Sequence, residues 1–287
     1  MSSARAELPL ERWGRRLLAE VQTRADRTAA GRFAFEFLMF GLKQGWACAF
    51  GALLLVLLFG THLFWPAGAP VHRYDAVFVG AVLIQAGMLA FRLEDRREAA
   101  AILVFHVVGT VMELFKTAQG SWAYPEAAVF RIGGVPLFSG FMYASVGSYL
   151  ARVWRIQHFR FTDYPPAWKT WLLAAAIYAN FFSHHFLPDA RWLLFAATVW
   201  VFRRTWVIYR PDRSDRRMPL LLGFLLVSLF IWIAENLATF SRAWIYPAQR
   251  QGWTLVGPEK LGAWLLLMII SFVLVAAVNR PQAHEAA

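Results

Sequence analysis

The chain has 287 residues, of which 59% are hydrophobic, 16% aromatic and only 16% charged, and it carries a formal charge of +11. Soluble domains carry about 25% charged residues, so this composition excludes a soluble globular fold and requires several spans of about 20 apolar residues each. No nucleic-acid motif is present, which assigns the basic excess to anionic lipid headgroups at the cytoplasmic face. Cys48 is the single cysteine, which excludes disulfides and Cys-ligated clusters within one chain.

Residues 1–43 are interrupted by arginines throughout and do not read as a signal peptide. Leu10, Trp13, Leu17 and Val21 recur at helical spacing, with Arg12, Arg15, Arg16, Arg24 and Arg27 largely elsewhere. That pattern predicts an amphipathic helix lying on the cytoplasmic leaflet, the alternative being a solvated helical tail. Eight helices follow, near 46–65, 74–91, 99–119, 136–154, 168–187, 191–208, 218–240 and 260–278. The expected fold is all-α, a polytopic transmembrane helical bundle. Lys and Arg number 22 on one side of this topology and seven on the other, which predicts that both termini are cytoplasmic.

A pattern recurs at an offset of 122 residues: Glu113, Thr117, Trp122, Tyr124 and Pro125 return as Glu235, Thr239, Trp244, Tyr246 and Pro247. The same offset superimposes His62 on His184, Pro136 on Pro258 and Gly140 on Gly262. Fixed-period self-similarity of this kind predicts a duplication. It divides the chain into an N-terminal segment (1–43), a four-helix repeat (44–156), a second four-helix repeat (157–279) and a cytoplasmic tail (280–287). Four helices per repeat give two halves of the same orientation, related by a pseudo-two-fold axis along the membrane normal.

Such an axis places Glu113 and Glu235 near one another, about 9 Å inside the extracytoplasmic ends of their helices at ~1.5 Å rise per residue. A charge inside a span costs about 3 kcal/mol and normally faces the bundle interior with a partner. Two equivalent carboxyls are therefore candidate catalytic acids, with His106 as a third candidate because His106, Thr110, Glu113 and Thr117 form one stripe on the third helix. Trp122, Tyr124, Trp244, Tyr246, Thr117, Thr239, Asn236, His62 and His184 are the candidate substrate-binding residues around them. The structural alternative pairs Glu113 with Lys116, Arg131 or Arg242 as a lock between halves, and reads the W-x-Y-P segments as interfacial anchors. His184, His185 and Asp189 could ligate a metal. Adjacent histidines point about 100° apart on a helix, so no metal is assigned. The nucleotide signatures G-x-G-x-x-G and G-x4-G-K-[ST] are absent, and proton chemistry at intramembrane acids requires no cofactor.

The stretches MELFKTAQGSWAYP (Met112 to Pro125), GGVPLFSGFMYASVGSYLARVWR (Gly133 to Arg155), IYANFFSHHFLPDARW (Ile177 to Trp192), RRMPLLL (Arg216 to Leu222) and IAENLATFSRAWIYP (Ile233 to Pro247) resemble the bacterial integral membrane family known as domain of unknown function 817. The resemblance covers nearly the whole chain beyond the N-terminal segment. It implies a bacterial inner-membrane protein and brings no established activity. A weaker similarity, resting on Glu113, Tyr124 and Gly134 to Pro136, is to membrane lycopene cyclases and carotenoid hydratases; it is an analogy between sites, with too few matching residues to carry a substrate or a catalytic role across.

These observations lead to an expected function: binding and modification of an isoprenoid, carotenoid or lipid between the halves, by acid/base chemistry at the glutamate pair. The alternatives are a small proton-coupled transporter or exporter and a non-catalytic membrane subunit. A transporter predicts polar residues along a path through both leaflets; a lipid-site protein predicts a polar cluster in one leaflet.

Overall fold

The computed structural model describes residues 18–94, 96–279 and 281. Leu10, Trp13, Leu17 and most of the 280–287 tail lie outside the described residues. Among the described residues the fold is carried by α1 (Ala29–Ala47), α2 (Ala49–Phe64), α3 (Arg73–Ala90), α4 (Arg96–Ala118), α5 (Ser139–Ile156), α6 (Ala167–Ser183), α7 (Arg191–Phe202), α8 (Leu220–Phe240) and α9 (Glu259–Asn279). The last eight stand where eight were expected.

Thr28 starts α1 by accepting the Gly31 N–H at 3.0 Å, a common N-terminal cap. The helix breaks at Cys48 and turns by 64° into α2. It buries Phe35 and Glu36 and leaves Phe33, Phe37, Leu38 and Leu42 exposed. Among the described residues four helices are long and apolar enough to cross a membrane, within Arg73–Ala90, Glu98–Ala118, Leu220–Phe240 and Glu259–Asn279, and the bent α1–α2 pair makes up to five. The chain is a multi-pass membrane protein.

One expectation is corrected. The sixth span was read to residue 208, but α7 ends at Phe202 after twelve residues. That is about 18 Å of rise, short of a hydrocarbon core of about 30 Å. The residues beyond it belong to a three-stranded antiparallel sheet of β3 (Arg160–Thr162), β4 (Trp206–Tyr209) and β5 (Arg216–Pro219), in the order β3-β4-β5. Phe161 opposes Val207, and Val207 opposes Met218. The aromatic and β-branched run of β4 suits a strand, although three of its four residues fall at the end of the expected sixth helix. Asp215 pairs with both Arg160 and Arg210, Arg216 pairs with Glu36, and Lys43 reaches the Arg210 carbonyl at 2.8 Å. The sheet is thereby tied to α1. At the opposite end of the bundle a short hairpin, β1 (Arg131–Ile132) with β2 (Val135–Pro136), leads into α5.

The core lies between α5 and α9 near the sheet, where Trp154 and Phe161 (centroids 4.9 Å apart) and Phe224 and Phe272 (5.0 Å) pack together. The α4–α5 pair approaches closely because glycine faces bulky side chains. A Cβ at Gly109 would fall 2.5 Å from Tyr143, one at Gly147 2.6 Å from Phe105, and one at Gly140 2.3 Å from His106. Small residues permit such approach in membranes, where packing rather than solvent exclusion drives helix association.

Both α4 and α8 end in the same turn. Ser121 N–H bonds the Lys116 carbonyl and Ala243 N–H the Ala238 carbonyl, each at 3.0 Å. The left-handed residue is Gly120 (φ 68°) in one and Arg242 (φ 55°) in the other. The connection after α4 is held to α3 by Asp75, whose buried carboxylate accepts the Val129 and Phe130 N–H groups at 2.9–3.0 Å, and by Arg73, which takes Glu126 at 2.7 and 2.6 Å.

Two outcomes test this account. Arg242→Gly should leave stability unchanged or raise it by about 1 kcal/mol, because a side chain at positive φ is strained there. Asp75→Ala should lower it by about 1–2 kcal/mol, because two backbone N–H groups lose the buried carboxylate that holds the connection to α3. Thermal unfolding in detergent reads both.

Candidate functional site

After α4 the left-handed Gly120 reverses the chain, and the segment from Trp122 runs back beside the helix. Residues two apart on an extended segment share a face, so Trp122 and Tyr124 both point at the glutamate two turns earlier. Trp122 Nε1 and the Tyr124 hydroxyl donate to Glu113 Oε2 at 2.8 and 2.7 Å. Tyr143, from α5, donates its hydroxyl to Oε1 at 2.8 Å. This geometry explains the E-x8-W-x-Y spacing.

The second glutamate is built with different parts. The Tyr246 hydroxyl donates to Glu235 Oε1 at 2.5 Å, and Trp264 Nε1 from α9 donates to Oε2 at 2.7 Å. Trp264, not Trp244, gives the indole bond to this carboxyl; Trp244 is buried in an apolar cluster with Tyr74, Tyr124 and Phe138. The two shells touch. Ala123 and Ile245 exchange two backbone hydrogen bonds of 2.9 Å, and the Trp122 ring meets the Tyr246 ring edge-on at 6.1 Å. Lys260 Nζ lies 4.3 Å from the Tyr246 ring centroid and 6.0 Å from that of Trp122.

Both carboxyls are only 3% exposed, and every donor that reaches them is neutral. The expected alternative partners are engaged elsewhere: Lys116 Nζ lies 3.0 Å from His184 Nε2 and 2.7 Å from His185 Nε2. Arg131 bonds the Gly134 carbonyl at 2.9 Å, and the Arg242 carbonyl accepts from Tyr74 at 2.9 Å while its side chain is exposed. Burial first, and the neighbouring glutamates after it, push the Tyr124 and Tyr246 hydroxyls well above the ordinary tyrosine range, so both remain protonated donors. An indole can only donate, whereas a phenol can donate or accept. Each glutamate therefore has an indole on Oε2 and a phenol on Oε1. A proton on Oε1 costs no hydrogen bond, because the phenol turns from donor to acceptor. The arrangement can hold a carboxyl in either protonation state.

Other expected residues are not brought to the carboxyls. His106 packs edge-on against Phe141 with centroids 4.1 Å apart, in the groove that Gly140 leaves open. The Thr117 hydroxyl is buried without a hydrogen-bond partner. Thr239 accepts from Trp253 Nε1 at 3.1 Å, and Asn236 Oδ1 takes the Val256 N–H at 2.8 Å; both fasten the connection between α8 and α9. His62 packs against Phe240 at 6.4 Å, apart from its repeat counterpart His184. Asp189 bonds Asn180 at 3.1 Å and Arg191 at 3.3 Å. Among the described residues no group of three or more His, Cys, Asp or Glu is arranged to hold a metal ion.

Tyr143, Trp264 and Lys260 were missed from sequence. Tyr143 follows Glu113 by 30 residues and Trp264 follows Glu235 by 29, so at an offset of 122 they do not coincide. A search for repeated residues passes over both. Their only signal is a hydrogen-bonding aromatic on the helix after each glutamate.

A family model described as "Protein of unknown function (DUF817)" matches residues 36–272. The chain is also 45% identical over 245 residues to "Uncharacterized protein YoaT" of Bacillus subtilis (strain 168), covering 85% of this chain and 92% of that one. No solved structure matches. With the family model spanning most of its length and a relative aligned nearly end to end, the chain belongs to the DUF817 family of proteins of unknown function.

Proposed function

We propose that the protein binds a lipophilic molecule, an isoprenoid, carotenoid or lipid, and moves a proton to or from it at Glu113 or Glu235. The observation that carries this reading is the pair of buried carboxyls whose donors are all aromatic and uncharged. A structural carboxylate in a membrane helix normally finds a cation. A carboxyl used for proton transfer needs partners that tolerate both of its states, which phenols provide. In this reading one carboxyl gives its proton either to an alkene carbon, whose π pair forms the new C–H bond, or to a hydroxyl oxygen, which then leaves as water; either step leaves a carbocation. The other, still ionised, stabilises the cation that forms, with the faces of Trp122 and Tyr246 beside it.

The reading includes a duplicated chain. Its supports are the identical turns after α4 and α8, and the bridge between Ala123 and Ile245, which stand 122 residues apart as the repeat requires. It also includes an inner-membrane location with both termini in the cytoplasm, resting on the excess of Lys and Arg at the sheet end of the bundle. Anionic headgroups are the expected partners of that basic end.

A second reading, proton-coupled transport, is favoured by one observation. Toward the sheet end, Arg152 and Glu94 form a buried pair at 3.0 Å, joined by Ser148 at 2.5 Å and by Gln85, so polar groups do occur in the other half of the bundle. Phe105, Phe141 and Ala144 are buried on α4 and α5 between the two sites. That apolar layer favours a lipid site over a continuous path.

Native mass spectrometry with lipid and pigment extraction, on wild type beside Glu113→Gln and Glu235→Gln, tests the reading. The expected result is a co-purifying isoprenoid or lipid that is lost or chemically altered in at least one variant. Identical lipid profiles in all three would assign the glutamates a structural role. Tyr143→Phe removes the phenol that exchanges roles with Glu113, and it should reduce turnover of that molecule by about 10²-fold or more while leaving its binding intact.

A further inference from the structure

Beside the glutamates, at the same end of the bundle, three cations converge. The Lys116 side chain is 5% exposed; its ammonium contacts the two imidazoles described above and stands 4.5 Å from the Phe181 ring centroid. His184 Nδ1 lies 2.8 Å from the Asn180 carbonyl. Only an N–H can make that contact, so Nε2 offers Lys116 a lone pair. Lys260 stands over Tyr246 and Trp122. Lys116, Lys260 and Arg191 lie within one another's electrostatic reach.

The acidic groups facing this cluster are Asp189, Glu235 and Glu259. Asp189 is occupied by Arg191 and Asn180, and both oxygens of Glu235 are occupied by Tyr246 and Trp264. Glu259 begins α9 beside Lys260 without an ion pair to it. Among the described residues neither ammonium has a carboxylate within 4.0 Å. A buried ammonium without a carboxylate partner, here Lys116, with a second, half-buried one on the same side of the bundle, is costly, and an oxyanion bound beside them relieves that cost. Lysine serves as a point charge for phosphate. The rim of the cluster is apolar and open: Phe186 is 70% and Trp192 80% exposed, surfaces that in a membrane face lipid tails.

We propose that Lys116 and Lys260, with Arg191 at the rim, seat the phosphate-type head of an anionic amphiphile whose apolar tail lies in the adjoining lipid. This rests on the lipophilic-ligand reading above and names the chemical class of the ligand's polar end. The head sits at the Lys260 side of Tyr246, within one side chain of Glu235.

The test titrates full-length protein in dodecyl maltoside with dodecyl phosphate, dodecylphosphocholine and inorganic phosphate, following tryptophan fluorescence. Dodecyl phosphate should bind saturably and more tightly than the other two. Lys116→Gln and Lys260→Gln should each weaken it by about tenfold, the worth of one charge-assisted contact, while Lys116→Arg restores it. Equal affinity in wild type and both Gln variants, or no preference for dodecyl phosphate over dodecylphosphocholine, overturns the proposal. Inorganic phosphate binding as tightly as dodecyl phosphate overturns the amphiphile and leaves a free-anion site. The unliganded thermal midpoint of each variant checks its fold, and Lys260→Gln, at a half-buried position, is the decisive variant if Lys116→Gln fails to fold. Glu113→Gln should bind dodecyl phosphate as wild type does, so loss of the acid chemistry and loss of the head seat are read separately.

Discussion

A carboxyl group inside a membrane helix must find its hydrogen bonds within the protein, because no water is there to supply them. At Glu113 and Glu235 this requirement organises one whole end of the bundle. Glu113 draws the chain after α4 back on itself through Trp122 and Tyr124 and fixes the rotation of α5 through Tyr143. Glu235 does the same through Tyr246 and Trp264. The two returning segments then meet at Ala123 and Ile245, where their backbones satisfy each other. Unpaired peptide groups at that depth would cost several kcal/mol each, so the bridge and the carboxyl shells support one another.

The close approach of α4 and α5 follows from the same constraint. Tyr143 reaches Glu113 only because Gly109 leaves room for its ring, and His106 sits in the space over Gly140. A methyl group at Gly109 would move the phenol that holds Glu113 Oε1. Glycine here sets the position of a hydrogen bond on the neighbouring helix as well as the distance between helices.

The surroundings of the two glutamates differ. A histidine pair meets Lys116 near one, and Lys260 lies against Tyr246 near the other; at an offset of 122 residues Lys116 falls on Ala238, Lys260 on Phe138 and His185 on Leu63, and only His184 finds a histidine, His62. The connections are fastened differently too: Asp75 and Arg73 hold the first, and Asn236 and Gln249 the second, the latter through the Thr254 carbonyl at 2.7 Å. The two carboxyls therefore have distinct surroundings, and groups in distinct surroundings need not share one proton affinity.

Much of this was legible in the chain alone. Apolar runs of about 20 residues specify helices in a membrane whatever surrounds them, so the eight helices fell near their expected positions. The glutamates with their W-x-Y segments were readable because a helix, a turn and an extended return are local structures whose spacings translate directly into contacts. The strand β4 and the short α7 were not readable, since a strand of four residues depends on partners 44 to 48 positions away in β3 and close by in β5. Tyr143, Trp264 and the convergence of Lys116 with Lys260 were likewise decided only by tertiary structure. Each depends on how one helix is rotated against another, and that rotation is set by packing at glycines and by buried hydrogen bonds that hydropathy does not encode.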